Sequence, residues 1–153
     1  MLAGQLAPAA GSCQVTAQVA WLDQQFSGLH PRLSVLQLQA ADPGAEPSEL
    51  RTRLAQLGLG ARQVTSPSEQ LSGGERLKAA LACVLYAQPA PQLLLLDEPG
   101  NHLDLPSLQA LEAMLRGYRG ALLVVSHDDA FLENIALTER LVGDERGWWL
   151  EAW

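Results

Sequence analysis

The stretch LLLLDEP, residues 93–99, decides the fold of this 153-residue chain. Its four successive leucines, which follow a proline, are typical of a short strand that is buried on both faces of a sheet. A second wholly apolar run, ALLVV at residues 121–125, comes after a helical pattern over residues 107–118. Strands and helices that alternate in this way predict an α/β fold with a parallel sheet.

The other elements predicted from the sequence extend this alternation to both sides. Glycines and prolines separate them and set their approximate bounds. They are strands at residues 14–21 and 138–142, helices at 47–57, 75–87 and 130–134, and a closing hairpin through residues 148–150. Three tryptophans near the carboxyl end of the chain are expected to cover the sheet edge: Trp148, Trp149 and Trp153.

Composition and charge limit the classes of partner. Acidic residues outnumber basic ones 17 to 10, which gives a net charge of −7. Modules that bind duplex nucleic acid usually carry the opposite sign, so we expect no direct DNA binding. No run of about 18 apolar residues occurs, so membrane insertion is not expected either. Cys13 and Cys83 do not make a disulfide framework, which favours a reducing, cytoplasmic location.

Polar side chains follow both apolar strands at the point where each strand ends. Asp97 and Glu98 come directly after the first strand, and Ser126 and His127 after the second. Ligands of parallel sheets collect at the carboxyl ends of the strands. There Asp97 suits Mg²⁺, Glu98 could orient or activate an attacking water, and His127 could contact a phosphoryl oxygen. The alternative is that these polar residues simply end the strands.

A Ser-x-x-Glu spacing precedes the strong helix over residues 75–87. Ser72 and Glu75 match a capping box, in which each side chain satisfies a backbone N–H group of the other residue. Capping does not explain the two glycines between them, Gly73 and Gly74. Because they lack Cβ atoms, a phosphate can approach the amide groups at the positive end of the helix. The segment predicts an anion site, and capping alone remains the competing interpretation.

One absence in the sequence limits any nucleotide chemistry. A phosphate-binding P-loop needs Gly-Lys-Ser/Thr. Lysine occurs once, at Lys78, and no such triplet is present. We therefore expect the chain by itself to bind MgATP only weakly.

Several motifs together resemble those of ATP-binding cassette (ABC) ATPases. LSGGER at residues 71–76 looks like their signature motif, and LLLLDEP is similar to their Walker B strand with its following glutamate. GNHLD at 100–104 resembles the D-loop in the form typical of the ABC-F family. SHD at 126–128 resembles the ABC-F switch-histidine segment, and WLDQ at 21–24 resembles the Q-loop. The motifs occur in the family's order, so the chain is identified as the latter two-thirds of one ABC-F cassette.

The resemblance implies a role for each matching position. Gln24 would sense the γ-phosphate and the metal, and Asp97 would bind Mg²⁺ with the help of water. Glu98 would be the general base. His127 would be the switch residue that contacts the γ-phosphate. ATP and Mg²⁺ are thus the implied substrate and cofactor.

A second set of positions would act across an interface with another cassette. The resemblance implies that the signature residues close over ATP held by that second cassette and that the D-loop aspartate crosses the same interface. These residues are Ser72, Gly73, Gly74 and Asp104. Two positions depart from the family pattern: Gly100 stands where Thr is usual, and Asp129 stands where Arg is common.

The resemblance also implies a division of the chain. Residues 1–30 would be a remnant of the core subdomain with the Q-loop, residues 31–72 a small helical subdomain, and residues 73–153 the signature helix with the α/β core. The P-loop would lie before Met1. Its strand is expected beside residues 93–96, and without it that strand and its neighbour at residues 121–125 would lose a partner and expose backbone edge. The chain is therefore expected to be a fragment, a truncated product or an excised piece that is inactive by itself.

The function implied is ATP hydrolysis by a soluble ABC-F protein that acts on the ribosome and translation. Two alternatives stay open: the ATPase subunit of an ABC membrane transporter, and a truncated, non-catalytic module that supplies only a signature face to a partner. A zinc site made of His102, Asp104 and His127 is a further alternative, but its spacing fits no standard zinc pattern.

Overall fold

The computed structural model describes residues 6–23, 29–40, 47–87, 89–101, 103–145 and 147–153. Three strands form a parallel sheet in the order β1-β2-β3. They are β1 (Val19–Leu22), β2 (Leu93–Asp97) and β3 (Ala121–Val125). The predicted α/β fold with a parallel sheet is confirmed, and β1 is shorter than the strand predicted over residues 14–21.

β2 is the central strand because its side chains are apolar on both faces. Leu94, Leu95 and Leu96 are all buried. β1 pairs with one edge of β2 and β3 pairs with the other. The expectation of an open edge is therefore wrong for residues 93–96. Among the described strands, the two outer ones of this sheet, β1 and β3, each pair on one side, so the expected edge is found at residues 121–125, where Val125 is 57% exposed.

Three helices that flank the sheet each begin after a capping side chain. They are α4 (Gly73–Leu85) after Ser72, α5 (Leu105–Gly117) after Asp104, and α6 (Asp129–Asn134) after Asp128. In each case the capping oxygen accepts a hydrogen bond from a backbone N–H in the first turn, which fixes where the helix starts. The corresponding predicted helices are confirmed with small shifts of their bounds. None of the helices in the described residues is long and apolar enough to cross a membrane.

Short helices fill the region between residues 31 and 72. They are α1 (Val35–Ala40), α2 (Pro47–Gln56), α3 (Ala61–Thr65) and a 3₁₀ turn (Ser68–Gln70). The sequence predicts only α2, because five or six residues are too few to show a helical period. α1 contacts α2, α3 and α4. The buried Ser68 hydroxyl donates a hydrogen bond to the His30 carbonyl at 2.8 Å and fastens the segment that leads to α4.

One apolar core runs through the helical region, α4, the sheet and α5. Its members come from every layer: Val35, Leu54, Leu59, Leu77, Leu81, Leu94, Leu111 and Phe131. Buried side chains in mutual contact form a single cluster rather than two. Because this core has members on both sides of residue 72, it does not separate the two predicted subdomains. The division at residue 72 stays a prediction.

The last two strands form an antiparallel hairpin, β4 (Glu139–Asp144) with β5 (Gly147–Ala152). The predicted hairpin is confirmed, but β4 pairs with β5 and joins no other described strand, so it does not continue the parallel alternation. Nor do the tryptophans cover the sheet edge, since Trp148 is 75% exposed and Trp149 and Trp153 are also exposed. Trp148 lies across Gly143 of the hairpin itself, where a Cβ atom would approach the indole ring to 2.7 Å.

Candidate functional site

The carboxyl ends of β2 and β3 bring a glutamate and a histidine together. Nδ1 of His127 lies 2.9 Å from Oε1 of Glu98. The Glu98 side chain is 18% exposed and the His127 side chain is 76% exposed. A mostly covered carboxylate beside a solvent-facing imidazole is an arrangement suited to proton transfer with a bound molecule.

The backbone at Glu98 fixes the direction of its side chain. Its φ angle is +47°, in the left-handed region that residues other than glycine seldom adopt. Its N–H donates a hydrogen bond of 2.8 Å to the Val125 carbonyl, which joins the ends of β2 and β3. Backbone strain of this kind costs about 1–3 kcal/mol and is concentrated at functional sites.

The contact with Glu98 changes the titration of His127. The hydrogen bond to the Glu98 carboxylate raises the pKa of His127, and the negative charges of Glu98 and Asp128 act in the same direction. Since Nδ1 is engaged by Glu98, Nε2 remains as the ring atom through which His127 can reach a ligand. The histidine is thus held in place and biased toward its charged form.

The end of β2 supplies a carboxylate for a cation. Asp97 is the last residue of β2 and is half-buried. Among the described residues, no group of three or more His, Cys, Asp and Glu side chains is arranged as a metal site. Mg²⁺ does not need such a group, because it usually keeps several waters and takes one or two carboxylates together with substrate phosphates. Asp97 therefore fits Mg²⁺, while Gln24 and His102 lie outside the described residues.

The start of α4 contains the capping box predicted from the sequence. The Glu75 N–H donates to the Ser72 hydroxyl at 3.3 Å, and the Ser72 N–H donates to Oε2 of Glu75 at 2.8 Å. The hydrogen bond from the Ser72 backbone is the main cause that lowers the pKa of Glu75. The capping interpretation is therefore correct for Ser72 and Glu75, and it leaves the glycines to be explained.

The two signature glycines have different surroundings. A Cβ atom on Gly73 would meet nothing within 4 Å, so the space beside it is open. A Cβ atom on Gly74 would lie 2.6 Å from the Ser107 hydroxyl and 3.2 Å from its Cβ. Gly74 thus allows α4 and α5 to approach closely, whereas only Gly73 offers room for an anion. The spacing predicts one role for both glycines, whereas the structure gives them different ones.

Glu75 is also hydrogen-bonded to a second residue, a contact that the sequence does not predict. Nε2 of Gln63, on α3, donates to Oε1 of Glu75 at 3.1 Å. Nothing in the spacing signals this contact, because the two residues lie on different helices. The nearest hint is Gly60, since a Cβ atom there would lie 2.9 Å from Oε1 of Gln63.

Asp104 caps α5 beside the signature segment. Its Oδ1 accepts a hydrogen bond from the Ser107 N–H at 3.0 Å, and the hydrogen bonds with Ser107 lower the pKa of Asp104. The same Ser107 side chain packs against Gly74, so the D-loop and the signature segment meet at one residue. Glu75 is hydrogen-bonded to Ser72 and Gln63, and His127 to Glu98, so these two groups of side chains share no residue.

Both departures from the family pattern have local reasons. A Cβ atom on Gly100 would come to 3.3 Å from Leu108 of α5, which leaves little room for a threonine. Asp129 is in the first turn of α6, where a negative charge is favourable beside the unpaired N–H groups.

Residues 1–101 match the family model described as ABC transporter. Among curated proteins, the chain is 37% identical over 150 residues to YheS of Escherichia coli O6:H1, described as a probable ATP-binding protein. The alignment covers 95% of this chain and 23% of YheS. It is 54% identical over 70 residues to the energy-dependent translational throttle protein EttA of Mycobacterium tuberculosis, covering 46% of this chain and 12% of EttA. The chain thus spans about a quarter, or less, of the length of these relatives.

Solved structures give a similar result. An ABC transporter in an inward-facing conformation aligns with a TM-score of 0.72 at 21% identity, over 99% of this chain and 64% of that chain. This likeness shows the fold. A dimeric ABC transporter cassette, MJ0796, aligns with a TM-score of 0.57 at 26% identity, over 74% of this chain and 54% of that chain. A post-hydrolysis form of MJ0796 bound to ADP and Pi aligns with a TM-score of 0.58 at 25% identity, over 76% of this chain and 55% of that chain.

Proposed function

Since the chain belongs to the ABC transporter family of ATP-binding proteins, we propose that it forms part of an ABC-F type ATPase and carries the residues that activate water for ATP hydrolysis. The observation that carries this proposal is the 2.9 Å contact between Glu98 and His127 at the carboxyl ends of neighbouring parallel strands. The strained backbone at Glu98 supports it, because the strain holds that carboxylate beside β3.

In this proposal Glu98 is the general base. Its carboxylate accepts a proton from the water that attacks the γ-phosphate, and the covered position of the side chain keeps it from solvent ions. His127 holds the Glu98 carboxylate through Nδ1 and presents Nε2 to the phosphoryl oxygens. A charged imidazole at that place stabilises negative charge as it develops.

Asp97 and Gln24 are proposed as the residues that hold the metal. Bound Mg²⁺ would neutralise charge on the phosphates of ATP. Asp97 stands at the end of β2, beside the residue that we assign as the base. ATP and Mg²⁺ are therefore the proposed substrate and cofactor.

The signature segment and Asp104 are proposed to face a second cassette. Gly73 borders open space at the N-terminus of a 13-residue helix, where backbone N–H groups favour an anion. Ser72 and Gly74 flank it, and Asp104 is joined to the same place through Ser107. The similar MJ0796 cassette is dimeric, which supports a second cassette as the partner.

We propose the cytoplasm as the location and translation as the process. EttA, which is similar to part of this chain, is named as a translational throttle protein, and both cysteines of this chain are free. The ribosome is thus the proposed client. A transporter cassette is the second candidate, because two of the similar structures are an ABC transporter and a transporter cassette. A non-catalytic module that supplies only a signature face is the third candidate, and it is the one that needs no base at Glu98.

The experiment uses a completed cassette, because the 153 residues contain no Gly-Lys-Ser/Thr triplet. The upstream segment of an ATP-binding relative that carries this triplet is joined to the chain, and phosphate release is measured with MgATP. We expect turnover, and we expect Glu98→Gln to lower it by about 10²–10⁴-fold. Glu139→Gln, at an exposed carboxylate on β4, is the matched control. Near-normal turnover in Glu98→Gln, or none in the unmodified cassette, would contradict the proposal.

The isolated chain offers a simpler measurement. Without P-loop amides and lysine we expect weak binding of MgATP and no turnover in titration calorimetry and phosphate assays. A micromolar dissociation constant with turnover would overturn that expectation.

A further inference from the structure

The Glu75 carboxylate is a junction between the signature segment and another helix. One of its oxygens, Oε2, accepts the Ser72 N–H at 2.8 Å. The other, Oε1, accepts Nε2 of Gln63 at 3.1 Å. Because both oxygens of one rigid carboxylate are engaged, its orientation is set from both sides, and so is the Ser72 backbone that it binds.

The Gln63 amide lies close to Gly60. A Cβ atom on Gly60 would lie 2.9 Å from Oε1 of Gln63, so a larger residue would displace the amide. The φ angle of Gly60 is −73°, a value that any residue adopts, so the backbone does not require glycine there. The lack of a side chain at Gly60 instead gives the Gln63 amide the space that it occupies beside Glu75.

The backbone between α3 and α4 is fastened to the same helical region. The Ser68 N–H donates to the Leu33 carbonyl at 3.1 Å, and the Glu69 N–H donates to the Pro31 carbonyl at 3.0 Å. The 66–72 segment therefore cannot shift without breaking these bonds. The Gln63 side chain adds a direct contact between α3 and the first turn of α4.

We propose that Gln63 is a positioning residue that sets the orientation of Ser72 by holding the Glu75 carboxylate. A displacement of α3 would then be transmitted through one side chain to the signature serine. On the proposed function, on which this consequence for catalysis rests, Ser72 contacts the triphosphate held by a second cassette. Gln63 would thus adjust affinity for ATP without touching it.

The first part of the test is made on the chain itself and needs no nucleotide. The variants are Gln63→Leu, which removes the amide at similar size, and Gly60→Ala, which displaces it. In both we expect the NMR titration of Glu75 to move toward the ordinary value for a glutamate and the Ser72 amide to exchange faster. The exchange rate is expected to rise by about threefold to tenfold, the factor that one intramolecular hydrogen bond is worth.

A swapped pair tests whether the contact itself matters. In Gln63→Glu combined with Glu75→Gln, the donor and the acceptor exchange places and the Ser72 N–H keeps an oxygen partner. We expect this double variant to recover slow exchange at Ser72, whereas Gln63→Glu alone places two carboxylates together and does not. Gln109→Leu, at an exposed position on α5, is the matched control and is expected to change nothing. Unchanged Glu75 titration and Ser72 exchange in Gln63→Leu would overturn the proposal.

The second part uses the completed cassette with MgATP. We expect Gln63→Leu to raise KM for ATP by about threefold to tenfold with kcat within about twofold, and the swapped pair to restore KM. A normal KM despite faster exchange at Ser72 would overturn the link to nucleotide. If the unmodified cassette hydrolyses nothing, the proposed function fails, while the exchange and titration data still decide whether Gln63 positions Ser72.

Discussion

The start of α4 and the carboxyl ends of β2 and β3 are built in different ways. At α4, Ser72 and Glu75 cap each other, Gln63 holds Glu75, and Gly74 packs against Ser107. At the strand ends, Glu98 and His127 share one side-chain hydrogen bond, and the histidine is largely exposed. The signature segment is therefore fixed by several contacts within its own chain, whereas the exposed histidine at the strand ends is held by a single side-chain hydrogen bond. Preorganisation lowers the cost of binding, so the first region suits recognition and the second suits a change on binding.

The largest expected effect is the loss of turnover when the strand-end pair is broken. In the completed cassette, His127→Ala and Glu98→Gln are each expected to reduce kcat by about 10²–10⁴-fold. Because the two residues act as a unit, the double variant should be scarcely slower than either single variant. Phosphate release at saturating MgATP measures this. Multiplied losses in the double variant would show that the two side chains act independently.

The next effect is a loss of stability at the signature segment. Gly74→Ala places a Cβ atom 2.6 Å from the Ser107 hydroxyl, and overpacking of this kind costs about 1–3 kcal/mol. Gly73→Ala, which meets nothing within 4 Å, should cost less. Urea unfolding followed by circular dichroism gives both values. Adding Ser107→Ala should recover part of the loss in Gly74→Ala, and strict additivity would contradict the contact.

A smaller effect is expected from the helix cap. Ser72→Ala removes the oxygen that accepts the Glu75 N–H, and loss of such a cap costs about 0.5–2 kcal/mol of unfolding free energy. Ser72→Thr keeps an oxygen at the same place and serves as the control. Thermal and urea unfolding measure the stability of both variants. If Ser72→Thr lost as much stability as Ser72→Ala, the size of the side chain, and not the cap, would be responsible.

The smallest effect is the pH dependence of the exposed pair. Glu98 raises the pKa of His127, so the contact between them adds to the stability of the fold while His127 is protonated. This contribution is fully present below the ordinary histidine pKa of about 6.5, and it is lost as the pH rises through the higher pKa of the folded state. NMR titration of the His127 ring should give a pKa above 6.5 that falls in Glu98→Gln. A pKa that does not change in this variant would mean that the contact is not populated in solution.

Elements with their own local signal are the ones that the sequence predicts. The apolar runs of β2 and β3 and the Ser72–Glu75 capping box are visible in the printed residues, and all three are found in the structure. The motifs predicted an ABC-F cassette, and the family match over residues 1–101 with relatives such as YheS confirms the recognition. The site roles carried over with those motifs stay predictions.

Contacts between elements are what the sequence does not predict. Whether Gly74 meets Ser107, and whether Gln63 reaches Glu75, depends on how helices cross, which no residue spacing encodes. The order β1-β2-β3 is another case, because pairing between strands is decided by tertiary packing. The alternation of strands and helices predicts that the strand near residue 140 continues the sheet, but this strand pairs locally with β5 instead.

The pairing of β1 with β2 has a consequence for how the chain folds during synthesis. Val19 lies opposite Leu93, so after β1 a stretch nearly half the length of the chain must be made before this strand meets its partner. At about 5–20 residues per second, β1 waits roughly 4–15 s without its partner strand. The α1–α3 region, whose contacts are local, can collapse in that interval, and closing such a long loop slows folding. A ribosome that translates this message quickly would therefore shorten the period in which Trp21 and its neighbours are open to other chains.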